Sequence, residues 1–122
     1  MSDTNNPPNY PFNEALEISV VETHEKHSAG ASEFVLLDIR EPHEIEIASI
    51  AGSTNIPMGD VPAALAELDI EEDTVIAVLC RTGKRSLDVA MYLQEQGFEE
   101  ARSVAGGIHW WSDRLDPSLT KY

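Results

Sequence analysis

Short apolar runs alternate with amphipathic segments along most of the chain. The two runs at 34–39 and 74–79 are continuous and rich in Val, Leu and Ile, a pattern typical of strands covered on both faces of a parallel sheet. Weaker apolar segments predict three more strands, over residues 17–20, 53–56 and 101–104. We therefore expect a parallel sheet that is built from βαβ units.

The segments between these strands have the spacing of helices. The clearest is Lys84 to Gln96, because its apolar residues share one broad face and Gly97 follows it as a stop signal. Four further helices are predicted over residues 21–29, 41–47, 61–68 and 107–114. Helices that alternate with strands in this way cover both faces of the sheet, which predicts the α/β class.

The length of 122 residues and the hydrophobic fraction of 42% fit one domain with its own core. Residues 1–14 contain three prolines and four asparagines and show no periodicity. This composition predicts a flexible N-terminal arm, followed by a single domain over residues 15–122.

The charge balance excludes several kinds of partner. Lys and Arg number 8 against 22 Asp and Glu, which gives a formal net charge of -14. This charge argues against binding to nucleic acid or to an anionic membrane surface. No apolar run approaches the roughly 20 residues of a membrane-spanning helix, and the first residues have neither the basic nor the apolar part of a leader. We therefore expect a cytoplasmic protein.

The chain contains one cysteine, Cys80. A single cysteine excludes an internal disulfide and a cysteine-rich zinc site, and we expect neither a metal nor a cofactor. Cys80 ends the apolar run 74–79, and the loop and helix start at 81–86 follow it. Ligands of open α/β sheets bind at the carboxyl ends of the strands. The N–H groups at a helix N-terminus favour an anion, and Gly83 allows the backbone to curl around one.

Positive charge is concentrated directly after the cysteine. Arg81, Lys84 and Arg85 are three of the eight basic residues and lie within five positions of Cys80. Cations and a helix N-terminus stabilise a thiolate over a thiol, and the thiolate is the nucleophile. Taken singly, the cysteine could be a small buried hydrophobe and the basic residues a solvated turn. Their combination favours an activated cysteine in an anion-binding loop.

The loop is shorter than that of the cysteine phosphatases. Four residues separate Cys80 from Arg85, whereas a phosphatase loop has five residues between its cysteine and arginine. The smaller pocket predicted by this spacing suits a single sulfur atom better than a tetrahedral phosphate.

Three blocks of sequence resemble the single-domain rhodaneses, which are thiosulfate or persulfide sulfurtransferases. The blocks span roughly residues 17–114 in the order found in that family, and they are Asp38–Glu44 with Ile50–Pro57, the loop Cys80–Ser86, and Gly97–Phe98 with Val104–Trp110. One departure is Ala48-Ser49-Ile50, where the family commonly has Gly-His-Ile. That position lies at a predicted helix-to-strand turn, so the change concerns local packing more than catalysis.

The resemblance implies a rhodanese-like fold with a parallel five-stranded sheet and the loop at its C-terminal edge. It also implies that Cys80 carries sulfur from a small anionic donor to a thiol or cyanide acceptor, with a protein donor or acceptor as a further option. The backbone amides of 81–86 would then hold the persulfide. The anion-binding residues of the loop would be Arg81, Thr82, Gly83, Lys84, Arg85 and Ser86, with Ser86 equally suited to capping the helix.

Asp38 and Arg40 stand at the end of a predicted strand, where an active site would also lie. We interpret them as structural residues near the site, with Arg40 paired to Glu41 or Glu44 so that the turn is held.

Histidines and tryptophans outside the loop have structural explanations. His24 and His27 are one helical turn apart, but two ligands do not make a metal site. His109 has no visible partner that would make it a proton donor. Trp110 and Trp111 are interpreted as core and lid rather than as a base-stacking platform.

Two other functions remain open at this point. The domain could be a sulfur-relay or protein-interaction module with little turnover of free thiosulfate, whose acidic surface docks a basic partner. A cysteine phosphatase or oxyanion reductase is the less favoured alternative because of the loop length.

Overall fold

Five parallel strands form one central sheet in the computed structural model, which describes residues 5–30, 32–67 and 69–122. The strands are β1 (Glu17–Ile18), β2 (Phe34–Asp38), β3 (Thr54–Asn55), β4 (Val75–Leu79) and β5 (Ala101–Val104). Their order across the sheet is β1-β5-β4-β2-β3, and every neighbouring pair is parallel. The α/β class and the five-stranded parallel sheet are therefore confirmed.

Helices connect the strands. They are α1 (Val20–Ser28), α2 (Pro42–Ile47), α3 (Val61–Leu65), α4 (Lys84–Glu95) and α5 (Gly107–Arg114), with a 3₁₀ turn at Met58–Asp60 before α3. The predicted helix over residues 61–68 ends earlier, and Leu68 lies outside the described residues. Within the described ranges, no helix has the length and apolarity needed to cross a membrane.

The side chain of Ser19 moves one predicted boundary. Ser19 Oγ accepts a hydrogen bond from the Glu22 N–H at 3.1 Å and caps α1. The first strand therefore ends at Ile18, and Val20 begins the helix instead of continuing the strand.

The sheet has a hydrophobic core on each face. Because side chains alternate along a strand, Ile76, Val78 and Cys80 lie in the core that contains residues of α3 and α4. Ala77 and Leu79 lie in the other core, with residues of α1 and α5. This alternation places the cysteine on the α4 side of the sheet.

Residues 5–14 are joined to the domain by several hydrogen bonds. The indole N–H of Trp110 donates to the Asn5 carbonyl at 2.7 Å, and the Tyr10 hydroxyl donates to the carboxylate of Glu17. Residues 1–4 lie outside the described residues. A flexible arm over residues 1–14 stays a prediction.

Candidate active site

Cys80 lies where β4 turns into the loop before α4. Its side chain is only 1% exposed. The thiol therefore faces the interior of the loop, at the carboxyl edge of the sheet where α/β proteins bind their ligands.

Backbone amides point at the sulfur. The Gly83 N–H donates to Cys80 Sγ at 3.1 Å and the Ser86 N–H donates at 3.4 Å, while Ser86 Oγ lies 3.3 Å from the sulfur. Gly83 adopts φ +101°, in the left-handed region that glycine favours. The loop thereby presents two N–H groups and a hydroxyl to one sulfur atom, an arrangement that stabilises negative charge there.

The start of α5 supports this loop from the other side. The N–H groups of Ile108 and His109 donate to the carbonyls of Cys80 and Arg81 at 3.0 and 3.1 Å. Gly107 makes this approach possible, because a Cβ there would lie 2.4 Å from the Arg81 carbonyl oxygen. The loop amides can point toward the sulfur because the loop carbonyls are paired with α5.

Two of the predicted anion-binding residues are exposed cations. Arg81 and Lys84 are exposed at the loop, and no carboxylate of the described residues lies within 4.0 Å of either charge. The Arg81 guanidinium lies 5.1 Å from the centre of the Tyr122 ring, a distance that suits a cation–π contact. Thr82 is also exposed.

The guanidinium of Arg85 is held by a carboxylate that sequence reasoning did not assign to it. Its two terminal nitrogens donate to the two oxygens of Glu44 at 2.8 and 2.9 Å. Bidentate pairs of this kind are among the stronger charged contacts in proteins. Arg85 therefore contributes less free charge to the loop than its sequence position predicts.

Glu44 accepts further hydrogen bonds from the Tyr122 hydroxyl at 3.0 Å and from the Glu41 N–H at 2.8 Å. The pKa of the Glu44 carboxyl falls from 4.5 to about 2, chiefly because the Arg85 guanidinium bonds to it. The same pair raises the pKa of Arg85. Both groups stay charged at neutral pH.

This carboxylate predicts a pH dependence of folding. The pKa of Glu44 is lower in the folded protein than in the unfolded chain, so its contribution is present above about pH 4.5 and is lost as the pH falls toward about 2. We expect Glu44→Gln to lower the free energy of unfolding at pH 7 by about 2 kcal/mol. The difference between the two proteins should shrink toward pH 2, as measured by urea unfolding.

Glu22→Gln provides the matched control. Glu22 pairs with Lys26 on the surface of α1, and its side chain is 52% exposed. An exposed pair of this kind contributes about 0.5 kcal/mol or less. An equal loss from the two variants would contradict the assigned importance of the Glu44–Arg85 pair.

The partner predicted for Arg40 is wrong. Its guanidinium forms an ion pair with Asp38 at 2.8 Å, and both side chains are fully buried. It also donates to the backbone carbonyls of Glu44 and Ala48 at 3.3 and 2.7 Å, and to the Tyr122 hydroxyl at 3.0 Å. The carboxylate of Glu44 is paired with Arg85, so the contact of Arg40 with Glu44 is made to the backbone carbonyl. Arg40 nevertheless bonds to the turn that follows β2.

His109 lies near the loop as an acceptor. Its Nε2 atom receives hydrogen bonds from Arg81 Nε and from the Tyr122 N–H, both at 3.3 Å. Burial lowers the pKa of His109. A nitrogen that accepts from two donors is not placed to deliver a proton to Cys80.

His24, His27 and Trp111 contact residues outside the Cys80 loop. His27 Nε2 is 2.7 Å from the Ala51 carbonyl, and the His24 ring meets Trp111 edge-on. Trp111 belongs to the core, with 3% exposure. In the part of the chain that the structure describes, no three His, Cys, Asp or Glu side chains are grouped to hold a metal ion.

Several residues lie at the site although nothing in the sequence assigns them to it. Ser103 on β5 hydrogen-bonds to Ser86 at 2.7 Å behind the cysteine. The Tyr10 hydroxyl lies 3.6 Å from the position of a Cβ at Gly83. Tyr122 contacts three basic groups of the site. Each is distant along the chain from Cys80, so pattern and spacing could not place it there.

The fold and this loop together define an α/β protein with a cysteine at the carboxyl edge of a parallel sheet. The family model for the rhodanese-like domain matches residues 20–114. The putative sulfurtransferase YtwF of Bacillus subtilis is 38% identical over 104 residues, which cover 85% of this chain and 97% of that protein. The chain therefore belongs to the rhodanese-like sulfurtransferase family.

Other relatives are longer proteins. The chloroplastic rhodanese-like/PpiC domain-containing protein 12 of Arabidopsis thaliana is 40% identical over 112 residues, which cover 87% of this chain and 37% of that protein. Relatives from maize and Arabidopsis whose names join adenylyltransferase and sulfurtransferase are matched over about a fifth of their length. The chain thus corresponds to one part of these proteins.

A solved structure has the same fold. The rhodanese-related protein of Thermoplasma volcanium is 32% identical to this chain, with a TM-score of 0.70 that covers 82% of this chain and 93% of that one. The single-domain rhodanese-like architecture is thereby confirmed.

Proposed function

We propose that Cys80 is the sulfur carrier of a sulfurtransferase that takes a sulfane sulfur from thiosulfate or a persulfide and gives it to cyanide or a thiol. The observation that carries the proposal is the hydrogen bonding of Cys80 Sγ to the N–H groups of Gly83 and Ser86. These groups offset negative charge at the position where a thiolate or persulfide would lie. Family membership supports the same chemistry.

The reaction has two half-reactions that balance without a redox partner. The Cys80 thiolate attacks the outer sulfur of thiosulfate, the S–S bond of the donor breaks, and sulfite leaves with the bonding electron pair. Cys80 then carries the persulfide. Cyanide attacks the outer sulfur, thiocyanate leaves, and the thiolate is regenerated, which is covalent catalysis with ping-pong kinetics.

The exposed cations serve the donor in this proposal. Arg81 and Lys84 attract the anionic donor and offset the charge of the departing sulfite. Gly83 contributes its amide, and the exposed Thr82 contributes a hydroxyl at the rim. Arg85 has a smaller share, because Glu44 already offsets its charge.

Intact mass measurement tests the proposal. We expect the reduced protein to gain about 32 Da, one sulfur atom, after incubation with thiosulfate. The added mass should disappear when cyanide is added, with one thiocyanate formed per protein. Because the chain has a single cysteine, the sulfur would have one site of attachment.

Iodoacetamide-treated protein is the control for adventitious sulfur. Blocking the thiol before thiosulfate is added should prevent the gain in mass. A gain that persists after blocking would show that sulfur attaches elsewhere, and no gain with thiosulfate or with a persulfide donor would exclude Cys80 as the carrier.

A relay between proteins is the second candidate function. The relatives that join adenylyltransferase and sulfurtransferase in one name favour it. Acidic residues precede the strands at Glu33, Glu71–Asp73 and Glu99–Glu100, so they lie at the sheet edge opposite Cys80. A partner that exchanges sulfur must instead reach the edge with Arg81 and Lys84, where an acidic surface fits best.

Kinetics separate the two functions. Rapid turnover of thiosulfate and cyanide at low donor concentration favours the small-molecule enzyme. Slow turnover together with fast discharge of the Cys80 persulfide to a protein acceptor favours the relay.

The loop of four residues between Cys80 and Arg85 remains the argument against a phosphatase. We propose a cytoplasmic location, because reducing conditions there keep a single cysteine as a thiol.

A further inference from the structure

Two buried serine hydroxyls form a chain behind the sulfur. Ser86 Oγ lies 3.3 Å from Cys80 Sγ, and Ser103 Oγ lies 2.7 Å from Ser86 Oγ. Ser103 can also donate to the Gly83 carbonyl, at 3.4 Å. Ser86 and Ser103 both have 0% exposure, so bulk water does not reach these hydroxyls, and the hydrogen bonds between them and to Cys80 and Gly83 are the ones that satisfy them here.

We infer that Ser103 is a positioning residue for sulfur transfer, because it holds the Ser86 hydroxyl as a donor to Cys80 whenever the sulfur is negative. The inference rests on the proposed role of Cys80. Ser103 lies on β5, which pairs with β4 in the sheet. A residue of β5 therefore contributes to the chemistry of the loop that follows β4.

The direction in which the two serine hydroxyls donate their hydrogen bonds depends on whether Cys80 is a thiol or a thiolate. When Cys80 is a thiol, its S–H donates to Ser86, Ser86 donates to Ser103, and Ser103 donates to the Gly83 carbonyl. When Cys80 is a thiolate, Ser86 donates to the sulfur and Ser103 donates to Ser86. Each hydroxyl donates one hydrogen bond in both directions. The thiolate state gives up only the long bond from Ser103 to the Gly83 carbonyl, at 3.4 Å.

The hydrogen bonds are stronger when Cys80 is a thiolate than when it is a thiol. A hydrogen bond to an ionised sulfur is stronger than one between neutral groups, and a second hydroxyl that donates to the first polarises it further. Ser103 therefore stabilises the thiolate more than the thiol. The same stabilisation applies when an acceptor removes the outer sulfur, because negative charge then returns to Cys80 Sγ.

Other ionisable groups lie on the elements that surround the loop. Arg81 and Lys84 come from the loop and the start of α4, and Arg85 lies beside them in its pair with Glu44. Tyr10, bonded to Glu17 of β1, approaches Gly83, and His109 lies on α5. In the part of the chain that the structure describes, none of these residues hydrogen-bonds to Ser103, so the substitution of Ser103 removes none of their hydrogen bonds.

The test compares Ser103→Ala with the unsubstituted protein by the pH profile of iodoacetamide alkylation. We expect the midpoint of the profile to rise by about half a unit and the rate below the midpoint to fall about threefold, as the loss of one modest hydrogen bond requires. Persulfide discharge by cyanide should slow by a similar factor. The KM for thiosulfate should stay unchanged, because Ser103 does not reach the donor.

Further variants separate a specific role from simple packing. Ser103→Thr retains the hydroxyl and should restore the profile. Ser112→Ala removes another buried hydroxyl, which donates to the Leu119 carbonyl at 2.7 Å, and should leave the profile unchanged. If Ser103→Ala does not fold, Ser103→Cys takes its place, since a thiol has a similar size and is a weak donor; mass spectrometry then identifies alkylation at Cys80.

A double-mutant cycle makes the test decisive. Because Ser103 acts through Ser86, Ser103→Ala should have no further effect on the profile in a Ser86→Ala background. An unchanged midpoint in the single variant, or an equal effect in both backgrounds, would overturn the inference. Failure of the unsubstituted protein to take up sulfur would instead reject the proposed function, since the alkylation profile needs no sulfur donor.

Discussion

Cys80→Ser is expected to lower thiosulfate:cyanide turnover by about 10³-fold or more, because it removes the atom to which the transferred sulfur becomes attached. Serine is close in size to cysteine, and its hydroxyl would meet the same N–H groups of Gly83 and Ser86. The substitution therefore isolates the chemistry of the sulfur. The measurement is the rate of thiocyanate formation with thiosulfate as the donor.

Two observations must accompany that rate. The thermal unfolding midpoint of Cys80→Ser should stay close to that of the unsubstituted protein, because serine is close in size to cysteine and fills the same buried position. Cys80→Ala should be as inactive as Cys80→Ser. If either variant retains a tenth of the turnover, sulfur is transferred without a covalent intermediate at Cys80 and the proposed mechanism is wrong.

Gly107→Ala is expected to destabilise the protein by about 3 kcal/mol or more and to abolish sulfur transfer. Gly107 has φ +63°, and a Cβ there would lie 2.4 Å from the Arg81 carbonyl oxygen and 2.6 Å from that of Cys80. These contacts cannot be relieved by turning a side chain, since the neighbours are backbone atoms. The loop or α5 must move, and the amides that face the sulfur move with it.

Gly30→Ala is a matched control for that variant. Gly30 has nearly the same φ, +66°, but a Cβ there would meet no atom of the described residues within 4 Å. It should therefore cost about 1 kcal/mol of backbone strain and leave sulfur transfer intact. Urea unfolding measures both variants. Equal destabilisation by the two would mean that the close approach of α5 to the loop is unimportant.

The strand pattern predicted most of the fold. The apolar runs at 34–39 and 74–79 correspond to β2 and β4, the two inner strands that pair along their whole length. Their continuous hydrophobicity has a physical cause, since both faces of these strands are covered. The two-residue strands β1 and β3 were predicted too long. A short edge strand is ended by local hydrogen bonds, such as the Ser19 cap, rather than by its hydrophobic pattern.

The loop itself was also predictable, because its residues are contiguous. Cys80, Gly83 and the helix start at Lys84 follow one another in sequence, and a strand–loop–helix unit places them together. The partners of the arginines were not predictable. Three carboxylates, at Asp38, Glu41 and Glu44, compete for Arg40 within a few residues, and burial and geometry assign it to Asp38.

By itself, the sequence determined the layered α/β architecture and the position of a reactive thiol between a buried strand and a helix N-terminus. Both depend on local patterns, namely the period of apolar residues and the order of residues within one turn. Only the tertiary structure decided that Glu44 pairs with Arg85, that N–H groups of α5 donate to the loop carbonyls, and that Ser103 lies behind the sulfur. These contacts join segments that are 17 to 41 residues apart in the chain, and such pairs are fixed by the parallel register of the strands and the packing of the helices on them.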